Sequence, residues 1–355
     1  MTSRMALPNV RIWAGASAGR GVALAGRSED IALQIPRIGR RARLRERHRL
    51  VDLGRDPRAV ARHQLALDDQ RVRRRPRAEV LAGPVSRVVV LALNQIVNIA
   101  AKYRYMYGGS FEVPTLIRAV IGRSWGQGAQ HSQSIQSMLA HVPGLVVLMP
   151  ASAQSILDDY PRVVAGHRGP VVSLEHRLLY DLQFRVEKGQ EPRDPVLGSR
   201  VARRGRDVTV VATSIMVLEA LRAAEHLERE AGIDCEVVDF HCPSHPDAAL
   251  IVESVRRTGR LLVADTSWPG YGVCAEVCRL VVERAPESLR APVVSVGLAP
   301  TPCPTAKALE DLFYPSLRTL TDAMAALATG CRDHGVSLPD ERSMADVYRR
   351  FKGPF

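Results

Sequence analysis

The chain has 355 residues and a formal charge of +12, from 49 Lys plus Arg against 37 Asp plus Glu. The whole excess lies in residues 1–90, which hold 20 Arg, no Lys and 8 acidic residues (20 − 8 = +12), while residues 91–355 hold 29 of each sign and are neutral. This distribution excludes a uniformly basic nucleic-acid binder, and the apolar run Val88–Leu93, followed by Asn94, Gln95 and Asn98, is far too short to span a bilayer.

Residues 1–90 contain one aromatic, Trp13, and no Phe, Tyr or Cys. Arg is dense over 38–62 and 71–77 without an apolar period of two or 3.6. Three readings stay open for this segment. A basic disordered arm would hold nucleic acid through phosphates, but such arms usually place aromatics for stacking. A transit peptide is Arg-rich and acid-poor, whereas Glu29, Glu46, Asp52, Asp56, Asp68, Asp69 and Glu79 interrupt this one. The third reading is a poorly folding sequence, the composition that a GC-rich gene gives when read out of frame.

From Leu91 the pattern becomes that of a globular protein long enough for two ordinary domains. Leu93, Ile96, Val97 and Ala100 predict a helix over 91–106, stopped by Gly108-Gly109. A buried strand is predicted over 113–120, then a Gly-containing loop over 121–130. Ser132 is placed to cap a helix to about His141. A strand over 145–149, a helix over 152–164 weakened by Pro161, and a strand over 170–174 follow. Residues 180–206 carry Gly189, Pro192, Pro195 and Gly198 and read as an interdomain linker. A second run predicts strands over 208–213, 235–240, 261–264 and 293–296. Its helices are predicted over 215–230, 246–258, 273–283 and 305–313. The alternation of buried strands and helices implies parallel sheets covered by helices. The organisation is therefore 1–90 as an Arg-rich segment, 91–180 as a first domain, 181–206 as linker, 207–328 as a second domain and 329–355 as a polar tail. Met1–Ala25 has no continuous apolar core of a secretory signal. Cys235, Cys242, Cys274, Cys278, Cys303 and Cys331 show no disulfide-like spacing. They read as reduced thiols of a cytoplasmic protein.

Several ordered motifs carry a family resemblance. They include Leu93-Asn94-Gln95-Ile96-Val97-Asn98, Ala101-Lys102-Tyr103-Arg104-Tyr105-Met106 and Val113-Pro114-Thr115-Leu116-Ile117-Arg118. Gly126-Gln127-Gly128-Ala129-Gln130-His131-Ser132-Gln133-Ser134 follows, then Ala140-His141-Val142-Pro143-Gly144-Leu145, Pro170-Val171-Val172 with Glu175, and Leu179-Tyr180. In the second domain, Asp207–Val211, Val237-Val238-Asp239, Thr258-Gly259-Arg260-Leu261, Trp268, Gly272–Glu276, Leu309-Glu310 and Tyr314-Pro315 continue it. Over about residues 91–320 the chain resembles the beta subunit of thiamine-diphosphate-dependent 2-oxo acid dehydrogenases, the decarboxylating component of pyruvate, branched-chain and acetoin dehydrogenase complexes. The resemblance implies two open α/β parallel-sheet domains, a transketolase-like pyrimidine-binding domain and a transketolase C-terminal domain. It implies an α2β2 assembly with an alpha subunit that supplies Mg2+ and the phosphate-binding motif, and delivery of acyl groups to a lipoyl acyltransferase core.

Thiamine chemistry needs a carboxylate hydrogen-bonded to the cofactor's aminopyrimidine. In the family this is a Glu in a Gly-Glu-(Asp/Glu) motif after an early strand. Residues 1–90 do not reproduce the motif, and Gly83-Pro84-Val85-Ser86-Arg87 stands where the family has an aromatic-rich segment. No cofactor-binding residue is therefore assigned. His131 matches the family histidine at the mouth of the site, a position suited to imidazole because its charge changes near neutral pH. Gln130, Ser132 and Gln133 read as shape and capping residues, and His141 as packing at a helix end. The family's potassium site corresponds to Thr115, Val164, Ala165, His167 and Gly169; His167 stands where the family has Asp, which disfavours a cation. Cys235, His241, Cys242 and His245 look like metal ligands, yet no second pair stands at zinc-finger spacing. The functional expectation is a beta-type dehydrogenase subunit. Its rivals are a defective relative that keeps only interaction surfaces, a nucleic-acid-binding fusion and a transketolase-type half-subunit.

Overall fold

The computed structural model of the chain describes residues 12–14, 79–83, 86–122, 126–180, 182–186 and 197–340. The frameshift, disorder, arm and transit-peptide readings concern residues that lie almost wholly outside this set. Two five-stranded sheets organise the described residues. The first contains β1 (Ile12–Ala14), β2 (Glu79–Gly83), β3 (Thr115–Ile121), β4 (Val146–Leu148) and β5 (Pro170–His176), in the order β1-β2-β3-β5-β4, every pair parallel. β1 and β2 come from N-terminal to residue 91, so the sheet draws the two strands on one side of β3 from the Arg-rich segment. β5 is buried at all seven positions, as a strand covered on both faces must be.

The helical region before β3 is segmented. α1 (Ser86–Leu91) leads into a wide π-helical turn (Asn94–Ala100) and then α2 (Ala101–Met106). The single regular helix expected over 91–106 is thus a helix with a widened middle, in which Asn98 Nδ2 donates to Asn94 Oδ1 at 2.8 Å. After β3 come α3 (Gly128–His131) and α4 (Gln136–Ala140). α5 (Ala153–Gly166) is capped by Ser152, whose Oγ accepts from Ser155 N–H at 3.2 Å. Pro161 lies inside α5 without ending it.

The second sheet contains β6 (Arg200–Arg203), β7 (Val208–Ala212), β8 (Cys235–Asp239), β9 (Leu261–Ala264) and β10 (Val294–Val296), in the order β10-β9-β7-β8-β6. It is parallel except for β6, which runs antiparallel to β8 with a register shift between Val201 and Arg203. β6 lies inside the stretch expected to be linker. Its four polar-flanked residues carry no periodic signal; only the pairing with β8 makes them a strand. Around this sheet lie α6 (Ile215–Ala231), α7 (Ala248–Thr258), α8 (Val273–Arg284), α9 (Lys307–Phe313) and α10 (Leu317–Thr329). α10 was not anticipated as an element. Ser316 Oγ caps it by accepting from Thr319 N–H at 3.1 Å. Leu317, Leu320, Met324 and Leu327 bury one face in the cluster that holds Ala220, Ala223, Ala224 and Leu227 of α6.

The two sheets share apolar packing. Ala151 and Leu178, from the first domain, belong to the core of the second, and Cys242 belongs to the cluster of Leu116, Leu148 and Val171. Among the described residues no helix is long and apolar enough to cross a membrane.

Candidate functional site

In open parallel sheets, ligands sit outside the carboxyl ends of the strands. β3 ends at Ile121, and the segment that follows carries Gly126–His131 and α4. Gly126 and Gly128 adopt φ of +61° and +69°. A Cβ on Gly126 would lie 2.3 Å from the Thr305 carbonyl oxygen, and one on Gly128 would lie 2.8 Å from Thr305 Oγ1. Only glycine permits this left-handed backbone and this closeness to the second domain. Between them, Gln127 accepts a hydrogen bond from Arg177. Arg177 is buried in the turn after β5, and burial lowers its pKa. The loop is therefore fixed from both domains. Arg177 and Thr305 were not anticipated in this role, since no local pattern marks either residue.

His131 is half-buried at the end of α3, and no hydrogen bond or ion pair joins it to another described residue. Gln133 Nε2 donates to the Gln130 carbonyl at 3.0 Å and tightens the turn. Ser132 does not cap a helix. α4 begins at Gln136 without a side-chain cap, and Ser132 Oγ is buried without a partner. His141 forms the backbone C-cap of α4 with its side chain exposed, so it does not pack.

Glu175 near the end of β5 is 3% exposed and fully engaged. Arg118 grips it with Nε at 2.6 Å and a guanidinium nitrogen at 2.7 Å. Tyr180 donates to Glu175 Oε2 at 2.7 Å, and Tyr160 donates to Oε1. Tyr160 Oη also lies 2.7 Å from Ser173 Oγ. Burial, then the nearby carboxylate, pushes both tyrosine pKa values up. The bidentate bond to Glu175 raises that of Arg118. An Arg in the otherwise apolar run Leu116–Ile121 is the one sequence sign of this network, because a charge in a covered strand needs a partner.

Two polar clusters tie the domains together. Asp265 Oδ1, after β9, accepts from Gln136 Nε2 at 2.9 Å, Thr213 Oγ1 at 2.5 Å and Thr266 N–H at 2.8 Å. Asp159 on α5 accepts from Arg200 at 2.5 Å. Asp159 Oδ2 also lies 2.8 Å from His241 Nε2, an ion pair by distance that lacks hydrogen-bond alignment. Asp239 lies opposite Arg200 in the β6–β8 register. Burial raises its pKa to about 6, against the pull of His241 and Arg200.

The metal-like quartet is dispersed. His241 faces Asp159, while Cys242 and His245 meet at 3.9 Å beside Ser244. Cys235 begins β8, where burial pushes its thiol up to about 12, so it is a poor thiolate ligand. The described residues hold no group of three His, Cys, Asp or Glu fit for a metal, and all six cysteines are free. Of the expected potassium positions, Thr115 begins β3 in register with Pro170, Val164 and Ala165 lie in the last turn of α5, and His167 is its C-cap. Burial, His245 and Arg104 all lower the His167 pKa. Thr115, Val164, Ala165, His167 and Gly169 include no carboxylate, so these positions offer K+ no anionic ligand.

The fold and the loop define a transketolase-type α/β protein built on two mainly parallel sheets. Residues 198–320 match the family model of the transketolase C-terminal domain. The structure resembles a split-gene transketolase solved as an inactive beta4 tetramer, at a TM-score of 0.52 and 25% identity over 71% of this chain and 76% of that one. The chain is 36% identical to the beta subunit of acetoin:2,6-dichlorophenolindophenol oxidoreductase from Cupriavidus necator, over 66% of this chain and 68% of that protein. It is 41% identical to pyruvate dehydrogenase E1 component subunit beta-1, mitochondrial, from Arabidopsis thaliana, over 65% and 64%. To the pyruvate dehydrogenase E1 beta subunit of Rickettsia conorii it is 37% identical, over 66% and 71%. The matches thus span about two thirds of these relatives' lengths. The chain belongs to the beta-subunit family of pyruvate and acetoin dehydrogenases.

Proposed function

We propose that the chain serves as the beta-type subunit of a 2-oxo acid dehydrogenase, in the oxidative decarboxylation of pyruvate or a branched-chain 2-oxo acid with acyl transfer to lipoamide. The observation that carries this reading is the placement of His131 beyond the carboxyl edge of a parallel sheet, on a loop held by Thr305 and Arg177. Held there, the imidazole can donate or accept a hydrogen bond and so orient a substrate group. The partner is an alpha subunit in an α2β2 assembly that contributes Mg2+ and the phosphate-binding motif, with thiamine diphosphate at the interface and a lipoyl acyltransferase core as acceptor. The compartment is the cytoplasm.

The described residues do not fit the cofactor's aminopyrimidine. Glu175 is consumed by Arg118, Tyr160 and Tyr180. Glu79 begins β2 opposite Thr115, at the amino end of the sheet. In sequence, Gly15-Ala16 follows β1 and Pro84-Val85 follows β2, with no carboxylate at either place. No step through thiamine is therefore derived. The same observation favours a second reading, a catalytically defective relative that retains its interaction surfaces.

Mixing the full chain with a family alpha subunit, thiamine diphosphate, Mg2+ and a 2-oxo acid separates the two. Dye reduction that falls about 10²-fold or more in His131→Ala supports the enzyme reading. A complex that forms by sedimentation yet reduces no dye supports the second.

A further inference from the structure

β4 is an edge strand of the first sheet, and an edge presents unpaired N–H groups. The loop after β8 covers this one. Val147 N–H donates to Ser244 Oγ at 2.9 Å. Met149, the residue after β4, donates its N–H to the His241 carbonyl, also at 2.9 Å. These are alternate residues, so one side of β4 meets β5 and the other meets the second domain. Cys242, between the two acceptors, packs with Leu116, Leu148 and Val171.

Four ionisable groups stand at this seam. Asp159 of α5 accepts from Arg200 of β6 at 2.5 Å and lies 2.8 Å from His241 Nε2. Asp239, the last residue of β8, is opposite Arg200 in the β6–β8 register. Asp159, Asp239 and His241 are at most 5% exposed. Arg200 is engaged by Asp159, so a charge on Asp239 puts a second buried carboxylate beside the first. Burial is the main reason that the Asp239 carboxyl stays neutral up to about 6; Asp159 acts in the same direction, and His241 and Arg200 oppose it. Asp159 comes from the first domain and the other three groups from the second.

We propose that this seam is a pH-sensitive clasp, in which ionisation of Asp239 loosens the loop after β8 from β4 and α5. Opening brings water to Asp239 and takes it away from Asp159, so the open form holds the Asp239 proton less tightly than the closed form. The closed form therefore has its full advantage below pH 3.8, the ordinary value, and loses it as pH rises to about 6. The clasp uses neither His131 nor a cofactor, so it does not depend on the proposed activity.

The test is amide hydrogen exchange on the full chain, read at single residues and corrected for the intrinsic pH dependence of exchange. Protection of Val147 and Met149 should fall at least about tenfold between pH 4.5 and 7. It should also lie below that of Leu262, fully buried in β9 between β7 and β10, which reports global unfolding. Asp239→Asn cannot ionise, so in that variant the fall should shrink to less than about twofold. Asp159→Asn removes the carboxylate that helps keep Asp239 neutral, so it should move the fall to lower pH. Circular dichroism checks that each variant folds, and if Asp239→Asn does not, the Asp159→Asn shift decides. Protection that ignores pH, protection equal to that of Leu262 at every pH, or an unchanged fall in either folded variant would overturn the proposal.

Discussion

Gln136 Nε2 donates to Asp265 Oδ1 at 2.9 Å and lies 3.2 Å from Thr266 Oγ1, joining the α4 segment of one sheet's domain to the carboxyl end of β9 in the other. Gln136 and Asp265 are both fully buried. Removing a donor to a buried carboxylate costs about 1.5–3 kcal/mol. Gln136→Leu keeps the volume and loses both bonds, so it should lower the unfolding free energy by that amount in urea, followed by Trp fluorescence. A loss below about 0.5 kcal/mol would show that Thr213, Thr266 and Ser267 satisfy Asp265 without Gln136.

Gly126 and Gly108 make a matched pair for the loop that carries His131. Their φ values are +61° and +59°. A Cβ on Gly126 meets the Thr305 carbonyl oxygen at 2.3 Å, whereas one on Gly108 meets nothing within 4 Å. Gly108→Ala should cost only the left-handed backbone penalty, about 1–2 kcal/mol. Gly126→Ala adds displacement of a backbone oxygen and should cost at least about 1 kcal/mol more by overpacking. Equal midpoints of the two variants in urea would mean that Thr305 does not fix the loop.

The contrast between these elements explains what a sequence can disclose. β7 and β9 are legible because a covered parallel strand must be apolar throughout: Leu261–Ala264 was delimited as observed, and β7 differed only at its last residue. β6 was illegible because a four-residue antiparallel edge is created by its bonds to β8, while its neighbours Gly198 and Pro195 signal a loop. α10 had its cap at Ser316 and its spacing Leu317, Leu320, Met324 in plain view, yet its groove partner is the alanine face of α6, nearly a hundred residues earlier. Ser132 carried a capping signal that failed because the backbone stays irregular until Gln136. The loop with His131 was legible by motif; its supports, Arg177 and Thr305, were not, since contacts between distant residues leave no local period.

Arg118 and Glu175 are 57 residues apart and meet because β3 and β5 place Val120 opposite Glu175. Replacing Arg118 by Met leaves Glu175 buried with only two tyrosine hydroxyls as donors. Such a change should cost about 3 kcal/mol. Adding Glu175→Gln removes the stranded charge and should restore part of the loss, so the double-mutant cycle should show a coupling above about 1 kcal/mol. Strict additivity in urea denaturation would rule out the network as a unit.

Asp239 sets a stability gradient in mildly acid solution. Burial raises its folded pKa to about 6, from an ordinary value of 3.8. His241 and Arg200 favour the charged form and Asp159 opposes it. Between those two pH values the folded protein binds more protons than the unfolded chain, so stability falls as pH rises. The contribution is complete below pH 3.8 and is lost as pH passes about 6. A separation of about two pH units corresponds to roughly 3 kcal/mol. Asp239→Asn does not titrate, so its stability relative to the parent should climb by that order between pH 4 and 7. Denaturation midpoints at half-unit steps measure the difference; a flat difference across this range would show that Asp239 is already ionised in the folded protein at pH 4.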